Sequence, residues 1–122
     1  MNQTVYKFSD SNRRIEKLIA RIRRIVLTTI SEQGFQSSLK GCFITDISLS
    51  PDLSSTRIGI YGEKNLSEVV SHFNLQQKLF NKALSNLGTK RSPRCSFYAD
   101  EEYPKLQALQ EALNKARDDS HS

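Results

Sequence analysis

A chain of 122 residues with 37% hydrophobic content suffices for one domain with a single modest core, and leaves little for a second. A net charge of +5 points to an anionic partner, and no apolar run is long enough to span a bilayer. Two cysteines, Cys42 and Cys95, sit in predicted strands without a CxxC or multi-cysteine pattern, which excludes a cysteine-rich secreted scaffold.

Residues 1–10 read as a flexible N-terminal extension, with several charges and no unbroken apolar stretch of the signal-peptide kind. The first helix follows. Ile15, Leu18, Ile19, Ile22, Ile25, Val26 and Ile30 recur at three- and four-residue spacing, and Ser11 or Asn12 can cap the start. At about 100° per residue, Arg13, Lys17, Arg21 and Arg24 gather opposite that stripe with Arg14 beside them, a basic ridge relieved only by Glu16. The segment 31–40, with Gly34 and two serines, is a loop.

Residues 42–50 alternate as a half-buried strand does: Phe43, Thr45, Ile47 and Leu49 form the expected core face, and Cys42, Ile44, Asp46, Ser48 and Ser50 the other. A corner of Ser50, Pro51, Asp52 and Ser54 leads to a second strand at 56–61. Asn65 or Ser67 opens a helix through Leu66, Val69, Val70 and Phe73; its apolar phase slips at Gln76 and Gln77 and resumes at Leu79, Phe80, Ala83, Leu84 and Leu87. This predicts two helices meeting at a kink near 74–77, where Asn74 can take the left-handed conformation, with Gly88 closing the second. A basic approach of Lys90, Arg91 and Arg94 enters a third strand at 95–98. Pro104 then starts a last helix with Tyr103, Leu106, Leu109, Leu113 and Ala116 on one side.

The charge is unevenly placed. Residues 1–40 hold eight Lys/Arg against three Asp/Glu, residues 87–98 three against none, and residues 99–122 three against six. Chemistry of other kinds finds little support: His72 reads as a surface helical histidine with only Glu68 at helical spacing, and Asp100, Glu101 and Glu102 read as charges favoured by a helix N-terminus. There is no phosphate-cradling glycine loop, metal-ligand cluster or nucleophile elbow, so neither catalysis nor a cofactor is expected. Gly59 and Gly62 form a literal GxxG, but at a strand end, where it cannot offer paired amides and a helix N-terminus to a phosphate.

The order α-β-β-α-kink-α-β followed by a helix is the type II K-homology topology, and the chain resembles the ribosome-binding factor A family over about residues 12–115. The resemblance rests on the opening helix RRIEKLIARIRRIVLTTI, the strand pair ITDISLSPDLSSTRIGIYG and the third-strand entry KRSPRCSFYAD, in which Lys90, Pro93, Cys95, Phe97 and Asp100 occupy family-like positions. Two motifs depart from the family: Asn74, Leu75, Gln76 and Gln77 stand where an Ala-x-Gly kink is usual, and Gly34, Phe35 and Gln36 where Asp-Pro-Arg is common.

The resemblance implies an α+β, K-homology-like domain at 11–100, with a three-stranded sheet packed by helices, and a C-terminal helix and acidic tail at 101–122. It implies a monomeric, cytoplasmic, non-enzymatic assembly factor, active in rRNA processing and needed more in the cold. Its partners would be the small (30S) ribosomal subunit and its 16S rRNA, with no small-molecule substrate and no membrane. The RNA-binding candidates are Arg13, Arg14, Lys17, Arg21, Arg24, Lys78, Lys82, Lys90, Arg91 and Arg94. Tyr61, Tyr98 and Tyr103 are candidates for stacking on bases, though each also suits a half-buried core or edge position. The alternative is a K-homology-like adaptor whose main partner is a protein; a DNA-binding domain lacks a recognition helix. The two cysteines read as reduced thiols, with a disulfide possible if their strands are neighbours.

Overall fold

The computed structural model describes residues 10–120, and side chains from 13 to 117; residues 1–9, the last two residues and the side chains of 118–120 lie outside what is described. The first helix opens at Asp10, which puts Ser11 and Asn12 within its first turn and not at its cap. Helix α1 spans Asp10–Glu32, strands β1 and β2 span Phe43–Leu49 and Ser55–Tyr61, and helices α2 and α3 span Leu66–Leu75 and Gln77–Leu84. Strand β3 (Arg94–Ala99) and helix α4 (Tyr103–Ser120) complete the order expected for the type II K-homology topology. The sheet runs β1-β2-β3, with β1 antiparallel and β3 parallel to the central β2.

One face of the sheet is covered. Ile22, Val26 and Ile30 of α1 meet Ile47, Ile58, Ile60 and Phe97 of the sheet and Phe73, Phe80 and Leu84 of α2 and α3 in a single core. Phe73, Phe80 and Phe97 meet at ring centroids 5.1–6.0 Å apart, within the range of favourable aromatic pairs.

The core face of β1 differs from the period-two reading in its first half. The β1/β2 register shifts between Ile44 and Asp46, a bulge that reverses the alternation. Ile47 and Leu49 stay inward, Ile44 turns in to pack on the core, and Phe43 comes out at 42% exposed. Phe43 is compensated by aromatic company: Tyr103 lies 5.2 Å and Tyr61 6.2 Å from its ring, so the start of α4 is pinned to the sheet's end.

Both glycines of the GxxG have packing reasons. A Cβ on Gly59 would come within 2.8 Å of Thr45 Oγ1 and 3.0 Å of the Tyr98 ring, and one on Gly62 within 2.4 Å of Cys42 Sγ. Each lets a neighbour lie directly on the backbone.

The kink falls where the phase slip puts it, between Leu75 and Gln77, but Asn74 serves it otherwise than by a left-handed conformation. Its side-chain amide donates to the Phe97 carbonyl at 2.9 Å and accepts from the Phe97 N–H at 2.9 Å. Asn81 accepts from the Cys95 N–H at 2.7 Å. The outer edge of β3, which would otherwise present unpaired backbone groups, is thus closed by two asparagines from the kinked helices. Gly88, at φ +85°, ends the short 3₁₀ turn Ser85–Leu87 that extends α3.

Cys42 stands just before β1, outside the strand in which the sequence places it, and Cys95 lies in β3 with β2 between the two, so both are free thiols. Burial pushes both thiols up, that of Cys95 to about 12.

Candidate nucleic-acid interface

Five of the candidate cations stand on α1. Burial of Ile22, Val26 and Ile30 fixes the helix's rotation, and the arithmetic of 3.6 residues per turn then puts Arg13, Arg14, Lys17, Arg21 and Arg24 in solvent. Among the described residues, none of the five is paired with a carboxylate. Arg23, which the sequence reading passed over, is exposed on the same helix.

The second basic segment meets this ridge. Gly88 brings its turn so near α1 that a Cβ there would lie 3.8 Å from the Arg21 guanidinium, and Thr89 faces the same groove as Arg14, Lys17 and Arg21. Thr89 Oγ1 donates to the Arg91 carbonyl at 2.9 Å, fixing the loop that exposes Lys90 and Arg91. The groove, of about 480 Å³, has Ile15, Leu18, Pro51 and Leu53 as its aliphatic lining.

The remaining candidates part company. Arg94 opens β3 beside the inward Cys95, and so lies on the sheet face opposite the core, away from α1. Lys78 and Lys82 are exposed on α3, the helix that packs beside α1. Arg57, missed in the sequence reading, shares that face with Arg94 and stacks its guanidinium 4.2 Å above the Tyr98 ring. Its alternation with the inward Thr56 and Ile58 was the available signal.

The three candidate tyrosines are half-buried and engaged. Tyr61 and Tyr103 pack with Phe43, and Tyr98 lies on Gly59 with its hydroxyl 3.5 Å from Asp46. Burial first, and then the carboxylates of Asp46 and Asp100, raise the Tyr98 phenol. Asp100 is held by the Thr45 hydroxyl at 2.6 Å and continues the β2–β3 pairing through its own N–H; among the described residues, Glu101 and Glu102 remain as exposed charges ahead of α4.

His72 is not the surface residue that its helical position suggested. Its ring packs edge-on against Phe35 and Phe73, and Nε2 is buried with no hydrogen-bond partner among the described residues, while Glu68 pairs with Lys40 at 2.6 Å. No acid–base constellation forms around it. Among the described residues, no group of three or more His, Cys, Asp or Glu could hold a metal, and no helix is long and apolar enough to cross a membrane.

Helix α4 stands off the body. From Pro104 to Arg117 every described residue is exposed, with Leu106 at 59%, Leu109 at 57% and Leu113 at 52%.

Fold and surface together define a small K-homology-like α+β protein with a basic helical face. No protein-family model matches the sequence, and no curated protein is significantly similar to it. In three dimensions the chain is similar to ribosome-binding factor A from Thermus thermophilus, with a TM-score of 0.61 at 16% identity over 70% of this chain and 94% of that one. It is equally similar to a Thermotoga maritima protein named as a candidate ribosome binding factor A, with a TM-score of 0.62 at 17% identity over 72% of this chain and 88% of that one. The fold is therefore that of the family whose motifs the sequence resembles.

Proposed function

We propose that the protein is a non-enzymatic, cytoplasmic factor that binds the small (30S) ribosomal subunit through its 16S rRNA during late maturation and rRNA processing. The observation that carries this reading is the convergence of the α1 ridge and the 88–91 loop, on a fold shared with proteins named for ribosome binding. Unpaired cations held on a rigid helix suit phosphates, whose neutralisation releases counterions and contributes roughly −0.7 to −0.9 per contact to the slope of log K against log salt. Engaged tyrosines favour recognition of backbone and shape over readout of a long single strand. K-homology-like residues 11–100 would supply this surface, with 101–122 as an appendage.

Cosedimentation with purified small and large subunits across a salt series tests it, comparing mature with immature particles. Salt-sensitive binding selective for immature small subunits is the expected result; binding to neither subunit at low salt overturns the reading. The adaptor alternative draws on the exposed leucines of α4, which suit an apolar groove on another protein. It predicts subunit-independent, salt-insensitive association that is lost on Leu106→Ala/Leu109→Ala/Leu113→Ala.

A further inference from the structure

The corner between β1 and β2 is locked. Ser50 Oγ donates to Asp52 Oδ1 at 2.8 Å and accepts from the N–H groups of Ser54 and Ser55, and Ser54 donates to Asp52 through both N–H and hydroxyl. This network holds Leu53 at φ +62°, a left-handed conformation that costs a leucine roughly 1–2 kcal/mol and a glycine almost nothing. The strained residue is kept in place while its side chain walls the groove against α1. Backbone strain of this kind is worth carrying where the side chain has a use.

The groove couples two chemistries that a phosphate track alone does not need. Arg14, Lys17 and Arg21 supply positive charge along one wall with no carboxylate in the lining, and Ile15, Leu18, Pro51 and Leu53 supply an aliphatic floor. A paired helix can satisfy the cations with its phosphates but keeps its bases stacked inside, so the floor stays wet. An acidic peptide could fill the floor, but the cations run on beyond the groove, to Arg13 and Arg24 along α1 and to Lys90 and Arg91 across it. That track is longer than the groove and matches a continuous polyanion. We infer that the groove takes the extruded base of one unpaired nucleotide, sandwiched on the Leu53 side and the Ile15/Leu18 side, with the flanking phosphates on Arg14, Lys17 and Arg21.

The inference rests on the rRNA reading above only in taking RNA as the ligand. Unpaired nucleotides at bulges and loops are the usual points of specific RNA recognition, and apolar side chains hold flipped bases as aromatic ones do. Sequence reading had no access to it, because residues 14–21, 51–53 and 89 meet only in the fold.

The test is fluorescence anisotropy with three probes: an RNA hairpin with a single-nucleotide bulge, its fully paired counterpart, and an acidic leucine-bearing peptide. Two variants accompany the full chain, Leu53→Gly, which removes the wall and suits the φ, and Ile15→Gln, which keeps a good helix former at a position already 37% exposed. The chain should bind the bulged hairpin about tenfold tighter than the paired one, within the range of base–side-chain stacking. Either variant should erase that preference while leaving the paired hairpin's affinity and salt slope unchanged. Equal affinity for both hairpins, or a variant that weakens both alike, overturns the inference, and tighter binding of the peptide gives the groove to a protein. Failure of subunit cosedimentation with the bulge preference intact removes the ribosome and keeps the groove; the reverse removes only the groove.

Discussion

Replacing Asn74 by alanine removes both hydrogen bonds that tie the α2–α3 kink to β3, at 2.9 Å each. Each is worth about 1 kcal/mol net, and the Phe97 residue they serve is only 4% exposed, so water cannot fully replace the lost partners. The expected cost is about 2–3 kcal/mol. For a chain of this length 1 kcal/mol corresponds to roughly 3–5 °C, so Tm should fall by about 6–15 °C. Asn74→Asp should not rescue it, since it keeps the acceptor for the Phe97 N–H but turns a second oxygen, not a donor, toward the Phe97 carbonyl. Asn81→Ala should lose about half as much, having one such bond at 2.7 Å. Thermal unfolding followed by far-UV circular dichroism, with urea unfolding to check that the m-value is unchanged, measures all three. A fall of less than about 2 °C for Asn74→Ala would refute the idea that this edge needs closing by side chains.

Arg14→Glu/Lys17→Glu/Arg21→Glu, all at exposed positions, should leave Tm within about 2 °C while flattening the salt slope of subunit binding by roughly 2, read by cosedimentation. Gly62→Ala must place a Cβ 2.4 Å from Cys42 Sγ and 3.0 Å from its Cα; it should cost about 2 kcal/mol or more in urea unfolding, and Cys42→Ala should recover only part, because the backbone contact remains. The Cys95 thiol has its folded pKa raised above the unfolded value of 9.0 to about 12, so its contribution to stability is complete below 9 and is lost as pH rises through about 12. The stability gap between the natural chain and Cys95→Ala should narrow over that window, and at pH 8 native Cys95 should resist a thiol reagent that labels it at once in urea. Leu106→Ala/Leu109→Ala/Leu113→Ala should change Tm by no more than about 2 °C, since these side chains are more than half exposed; a larger fall would mean that α4 docks on the body in solution.

Local rules made α1 legible, because a seven-member apolar stripe fixes one rotation and hence where its arginines point. They also placed the kink, where Gln76 and Gln77 interrupt the phase of Phe73 and Phe80. They failed at Phe43 and Thr45, since the bulge arises from cross-strand fit: Tyr98 lying on Gly59, and Thr45 reaching Asp100, decide which way β1 turns. They failed also at Asn74, whose partners on β3 are 23 residues away, and at His72, whose burial depends on Phe35 arriving from the far side of a loop. The basic ridge could be read from one helix, but its meeting with Thr89, and the separation of Arg94 from both, required the sheet's handedness and order. The aliphatic floor beneath the cations belongs to the same class of fact: it exists only where chain segments more than thirty residues apart touch.

The mixed sheet sets an order of assembly. β1 and β2 close through the short Ser50–Ser55 corner, whereas β3 pairs with β2 across 39 residues, from Ser55 to Arg94. Loop-closure entropy makes the second pairing dearer by about 1.5 kcal/mol, before the ordering of α2 and α3 is counted. The hairpin and α1 are therefore the natural nucleus, and β3 is the last strand to be zipped in, by the two asparagines that close its edge. Substitutions at Asn74 or Asn81 should then speed unfolding and leave refolding nearly unchanged, while loosening the Asp52 corner should slow refolding itself. In a chain still emerging during synthesis, the helix bearing the arginine ridge would be folded onto the hairpin before the loop that completes its groove has left the ribosome.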